Sequence, residues 1–353
     1  MKWSKRLTRS PIGIDLGAGW IKAAQLIRHS HGQWQLAAAA ATRREQPDQP
    51  PTDQQIDHLI ALLQRQGLTG RQVVLAAPPE TMHMDMLTLP PRSSGAPIDE
   101  IAHMELARMH KLEPAAVQTD LWDLPQPARG REAAYVMVAG CEHDRAHELL
   151  APFERHGLDV TGLDCHAWAV LRACRALLAP APEITTILDV GWSAASLVVV
   201  HEQTVVYERL LDNGGTQHLH QILARHLNLS DEAIDHALGD MATRTPTDDQ
   251  ENPNPLMAEL RGMVAAHFLG LAEQLQAAFA YVTHQYPQTH VARLLLVGGG
   301  AAACHLDEQL SETLGTTVQT VRPSDIVTVD SPAMLPQPQT ALASAIGLAM
   351  YDQ

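Results

Sequence analysis

The sequence predicts an α/β protein built from two related halves, each opened by a strand that delivers a carboxylate beside a glycine turn. Three observations carry this expectation. Residues 12–16 contain Asp15 and run into Gly17-Ala18-Gly19, and residues 185–189 end on Asp189 and run into Gly191-Trp192-Ser193. In both places two further short apolar runs follow, then helical periodicity, so the order strand, turn, strand, strand, helix occurs twice, as in an internal duplication. The length of 353 residues suits two domains, at roughly 150 residues each.

In the first domain, expected at 1–180, residues 12–16 and 20–27 read as a hairpin and 33–42 as a third strand. Beyond a proline-rich linker, Ile56, Leu59, Ile60 and Leu63 recur at helical spacing, and 71–76 is a continuous apolar run of the kind a buried strand uses. Residues 78–130, with alternating Met82, Met84 and Met86, a helix near 98–110 and a strand near 117–124, are expected to form an inserted α+β subdomain. The chain then resumes with a strand at 133–139, a helix at 144–155, a strand at 158–163 and a helix at 166–178, closed by Pro180 and Pro182.

In the second domain, expected at 181–353, strands at 185–189, 196–200 and 204–210 precede Asn213-Gly214-Gly215 and a helix at 216–227. Residues 241–255 read as a polar loop. A long helix follows, with Leu260, Val264, Phe268, Leu271, Leu275 and Phe279 along one stripe. A strand at 294–297 then runs into Gly298-Gly299-Gly300, and a helix spans 306–314.

Composition narrows the function classes. Hydrophobic residues at 45% with aromatics at 4% imply aliphatic cores and exclude a disordered chain. With 25 basic against 40 acidic residues the net charge is −15, which repels phosphate backbones and argues against a nucleic-acid partner. Lys2, Lys5, Arg6 and Arg9, with Trp3 and Leu7 among them, are either a membrane-touching segment or a solvated basic tail. No apolar run of signal-peptide length follows them, and the charge-free stretch 331–351 is broken by Pro332, Pro336 and Pro338, so no transmembrane helix is expected. Cys141, Cys165, Cys174 and Cys304 lack C-x-x-C spacing, as reduced thiols of a cytoplasmic protein do. His143 and His147, at i and i+4, are either metal ligands or a solvated helix face.

The chemistry is concentrated in three motifs. In Asp15-Leu16-Gly17-Ala18-Gly19-Trp20-Ile21-Lys22, turn N–H groups can meet phosphate oxygens while the carboxylate holds hydrated Mg²⁺ and Lys22 approaches the phosphates; the plainer alternative is a hairpin turn with an incidental aspartate. Ile187-Leu188-Asp189-Val190-Gly191-Trp192-Ser193 repeats the pattern. Leu296-Val297-Gly298-Gly299-Gly300 takes a strand into three glycines that let a flat ligand approach the backbone.

In this order the motifs resemble the phosphate 1, phosphate 2 and adenosine segments of the actin, heat-shock chaperone and sugar kinase ATPase superfamily. Within it the chain is most similar to the PilM family of type IV pilus assembly, with the cell-division protein FtsA and the cytoplasmic part of the type II secretion protein GspL as relatives. The similarity also takes in residues 73–78 and 87–90, the block 157–171, the helix start at Gly214-Gly215 and the closing stretch 341–350.

The resemblance implies an actin-like duplicated fold, a second insert at about 214–290, and a closing helix at about 340–351 packed back on the first domain. It implies an interdomain cleft for ATP and Mg²⁺ formed by Asp15, Gly17, Ala18, Gly19, Trp20, Lys22, Asp189, Gly191, Trp192, Ser193, Gly214, Gly215, Gly298, Gly299 and Gly300, with Asp15 and Asp189 holding the metal through water. It implies a cytoplasmic scaffold, peripheral to the inner membrane and open to homo-oligomerisation, that binds the N-terminal peptide of a PilN-like membrane protein. The peptide surface would be residues 73–77 and 82–86, although alternate methionines can equally be core. Trp20 and Ala195 replace hydroxyls usual in such proteins, and Ile234 and Ala237 replace a Glu and a Lys that contact ribose and base, so at most a slow ATPase is expected. A small-molecule kinase or phosphatase of the same superfamily is the alternative, with Asp85, Asp159 or Asp164 as its base.

Overall fold

A computed structural model describes residues 8–30, 32–44, 49–127, 132–211, 213–243, 255–303 and 306–351. Lys2, Lys5, Arg6, Cys304 and most of the expected loop at 241–255 lie outside the described residues. In the first half, β1 (Thr8–Arg9) and β2 (Ile12–Leu16) pair antiparallel with β3 (Trp20–Arg28), whose other edge carries β4 (Trp34–Arg43). Helix α1 (Asp53–Arg65) begins in a capping box between Thr52 and Gln55 and buries Ile56, Leu59 and Leu63 on the sheet. Strand β5 (Gln72–Ala77) runs parallel to β2.

An inserted layer follows: β6 (Met82–Leu89), α2 (Ile98–His110), β7 (Val117–Asp123) and β8 (Ala134–Glu142), with sheet order β6-β8-β7. The sequence reading ends this insert near 130 and returns 133–139 to the main domain. Instead β8 is the central strand of the insert, because a strand buried along nearly its whole length needs partners on both edges, and β6 and β7 supply them. The main sheet resumes after α3 (His143–Arg155) with β9 (Asp159–Cys165), parallel to β5, and α4 (His166–Cys174).

The second half repeats the plan. Strands β10 (Ile184–Val190), β11 (Ala195–His201) and β12 (Thr204–Leu211) form an antiparallel meander, and β13 (Val291–Val297) and β14 (Thr317–Thr320) add in parallel. The two sheet orders, β4-β3-β2-β5-β9 and β12-β11-β10-β13-β14, have the same pairing senses at every step, so the duplication read from the two Asp-x-Gly turns extends through both sheets. Between β12 and β13 lie α5 (Thr216–Leu227), α6 (Asp231–Thr243) and the long α7 (Pro255–Gln285), which buries Leu260, Val264, Phe268, Leu271 and Leu275. Then come α8 (Leu306–Leu314), α9 (Pro323–Ile326) and α10 (Ala343–Ala349).

Helix α10 packs on β2 and α4 of the first half, where Arg172 Nε donates to the Gly347 carbonyl at 3.1 Å. Residues 73–77 of β5, expected as a peptide surface, are all buried: β2 and β9 occupy both edges, Phe153 and Leu59 cover one face, and Ala169 and Leu348 cover the other. Of the methionines in β6, Met84 packs into two cores while Met86 is 41% exposed. Cys141, Cys165 and Cys174 are buried free thiols. Among the described residues no helix is long and apolar enough to cross a membrane.

Candidate functional site

Asp15 near the end of β2 and Asp189 near the end of β10 occupy equivalent places in the two halves. Lys22 is the register partner of Asp15 across the β2/β3 hairpin, so both side chains leave the same face, and Lys22 Nζ lies 2.6 Å from Asp15 Oδ2. His166, the first residue of α4, reaches from the first half to the second and places Nε2 3.1 Å from Asp189 Oδ2. Its Nδ1 faces Ser344 Oγ at 3.4 Å. Two carboxylates and two cationic side chains thus share one cleft.

Their electrostatics are mutual. Burial disfavours the charged His166 ring, but the Asp189 hydrogen bond and the Asp189 and Asp15 charges more than offset it and raise its pKa to about 9. Burial likewise disfavours the Lys22 ammonium, and Asp15 and Asp189 together still raise its pKa. Asp189, which burial alone would push up, is held below the usual carboxylate range by His166 and Lys22. Each cation feels both carboxylates, so Asp15 and Asp189 converge. Carboxylate oxygens are hard donors, and Mg²⁺ is commonly held by one or two of them with water and substrate phosphates, so the donor chemistry fits that ion.

The turns are distributed around this cluster. Gly17 and Ala18 are half-buried, Gly19 is buried and Trp20 is 42% exposed. Gly191, Trp192 and the exposed Ser193 form the opposite turn, tied to α5 by Thr216 N donating to the Gly191 carbonyl at 3.0 Å and Gln217 N to the Trp192 carbonyl at 2.8 Å. Gly214 and Gly215 are buried just before α5. Gly298 has φ 89° and its α-carbon faces Asp189 Oδ1, a position with no room for a side chain. Gly299 is exposed, with only Pro338 near, whereas Gly300 packs on Val190 and Thr216. Of the three glycines, Gly299 therefore offers open backbone.

Other expected residues fall elsewhere. Ile234 is wholly buried in the core of the second half and Ala237 packs against that core, because the apolar side of α6 turns inward. The cleft side of α6 instead presents Asp235, 3.6 Å from Arg43 of the first half and 3.5 Å from His220. The acids considered for a kinase are otherwise engaged or exposed: Asp85 accepts from His110 at 2.5 Å, Asp164 pairs with Arg172, and Asp159 is exposed at the start of β9. His143 and His147 are exposed, and among the described residues no three His, Cys, Asp or Glu side chains gather to hold a metal. Sequence reasoning missed His166 altogether. It also gave Ser196 no place of its own; opposite Asp189 in the ladder, its hydroxyl is buried without a hydrogen-bond partner.

Comparison with known proteins places this geometry. A solved PilM–PilN complex of type IV pilus biogenesis matches with a TM-score of 0.75 and 22% identity, over 97% of this chain and 98% of that one. The ethanolamine utilization protein EutJ from Carboxydothermus hydrogenoformans follows at 0.57 and 15%, over 98% and 90%. A diol dehydratase-reactivating factor in nucleotide-free form follows at 0.53 and 10%, over 97% and 99%. The fold is therefore actin-like. No curated protein sequence matches the chain. The family model for the type IV pilus assembly protein PilM matches residues 13–353, both Asp-x-Gly turns, the three glycines and α10 included, and the chain belongs to that family.

Proposed function

We propose that this protein is a cytoplasmic scaffold of type IV pilus assembly, peripheral to the inner membrane, which grips the N-terminal peptide of a PilN-like membrane protein. The observation that carries this is the family match over residues 13–353, supported by the fold likeness to a PilM–PilN complex along nearly the whole chain. A net charge of −15 disfavours direct adhesion to anionic lipid, so recruitment falls to a protein partner. The test is flotation with vesicles: the protein should co-float with membranes carrying the full-length PilN-like partner and stay behind with bare vesicles of the same lipid.

The same proposal assigns the cleft to ATP and Mg²⁺, with Asp15 and Asp189 as the carboxylates that would hold the ion through water. The convergence of both on Lys22 and His166 and the open backbone at Gly299 support it. The halves are taken as 1–180 and 181–353, with the first insert extended to Glu142, the second at about 214–290 and the closing helix on the first half. Any ATPase activity is slow, and the scaffold self-associates, which light scattering of the purified protein tests.

A further inference from the structure

Trp192 belongs to the second half, yet its side chain is seated against the glycine turn of the first. A Cβ placed on Gly19 would lie 2.9 Å from Trp192 Cγ, 3.1 Å from its Cβ and 3.3 Å from its Cδ2, so the methyl that Gly19 lacks is the space this side chain uses. Those atoms sit at the root of the side chain, where turning the ring gives no relief. Both sides of the contact are anchored. The Trp192 carbonyl accepts from Gln217 N at 2.8 Å, and Gly191 N donates to the Ala194 carbonyl at 3.1 Å; across the cleft, Arg44 N donates to the Gly19 carbonyl at 2.9 Å. The indole also meets the His220 ring edge-on, with centroids 4.9 Å apart.

We propose that Trp192 is a cross-cleft clasp: packed on Gly19, it holds the two halves against each other. Two further contacts bridge the same opening, His166 with Asp189 and Arg43 with Asp235, so closing the cleft satisfies charges as well as burying an indole.

The test uses the full chain without nucleotide, carrying spin labels at the exposed positions Gln64 on α1 and Glu273 on α7, with the interlabel distance distribution read by pulsed electron paramagnetic resonance. Trp192→Ala should shift the distribution to longer distances and broaden it, whereas Trp192→Phe should stay near the parent. Gly19→Ala, which removes nothing, should produce the same shift, and Gly19→Ala combined with Trp192→Ala should open no further than Trp192→Ala alone. Circular dichroism establishes that each variant is folded; should Trp192→Ala not fold, Gly19→Ala decides. Parent-like distances in the folded Trp192→Ala and Gly19→Ala proteins overturn the clasp.

Discussion

His166 Nε2 on the first half lies 3.1 Å from Asp189 Oδ2 on the second, and this ion pair joins the helix that follows β9 to the strand that opens the duplicated half. The cleft between two related domains is thus bridged by a proton-dependent contact at the position where nucleotide chemistry was expected.

Stability should therefore depend on pH in a definite direction. His166 has its folded pKa raised from 6.5 to about 9, so its contribution is fully present below 6.5 and is lost as pH rises through 9. Asp189, with its pKa lowered from 3.8, contributes above that value and loses its contribution as pH falls below it. A thermal-melt series from neutral pH to beyond 9 should show a falling Tm equivalent to on the order of 3 kcal/mol. His166→Asn should flatten that limb; a parent-like slope in the variant assigns the loss to other groups.

Lys22 and Asp15 form the matching pair inside the first half, nearly buried and 2.6 Å apart. Removing one member of a buried pair strands the other charge, at a cost of about 3–5 kcal/mol. Lys22→Met should lower the urea midpoint accordingly, and adding Asp15→Asn should recover much of the loss. Additive losses in the double variant would show that the two groups act separately.

Turnover of ATP should be slow. Trp20 is exposed and Ala195 is fully buried, neither bringing a hydroxyl to the cleft, and Ile234 is committed to the core. Phosphoryl transfer depends on positioning and electrostatic stabilisation, so fewer polar contacts mean a higher barrier. Steady-state hydrolysis by the purified protein should fall well below about 10 s⁻¹, the median for enzymes; a rate at that level without any partner contradicts the expectation.

The surface of the insert gives a further discrimination. Met86 is substantially exposed, whereas Met84 packs into two cores. Met86→Glu should leave the fold intact while weakening peptide capture, and Met84→Glu should destabilise the protein outright. Undiminished capture by Met86→Glu would move the peptide to another surface.

Which parts of this were legible in the sequence follows from the range of the interactions. The Asp15 and Asp189 turns are local signals, a strand end followed by small residues, and they led to two sheets with the same order. The central place of β8 was not legible, because β6 and β7 find it from about 50 and 20 residues away in sequence. His166 carried no motif: it follows Asp164 and Cys165 at an unremarkable helix start, and only α4 packing between the halves brings it to Asp189. Ile234 was misplaced because family position says which residue is aligned, while the direction of a side chain depends on which face of α6 meets the core. Residues 73–77 were legible in part. A continuous apolar run marks a parallel strand covered on both faces, which argues against the peptide surface expected there.

The most direct test of the scaffold assignment is calorimetry of the purified full chain with a synthetic peptide copying the cytoplasmic N-terminus of the PilN-like protein. Saturable binding at one peptide per chain, with a negative heat-capacity change from apolar burial, is the expected result. No binding with or without Mg-ATP, together with association of the protein alone with anionic vesicles, would contradict it.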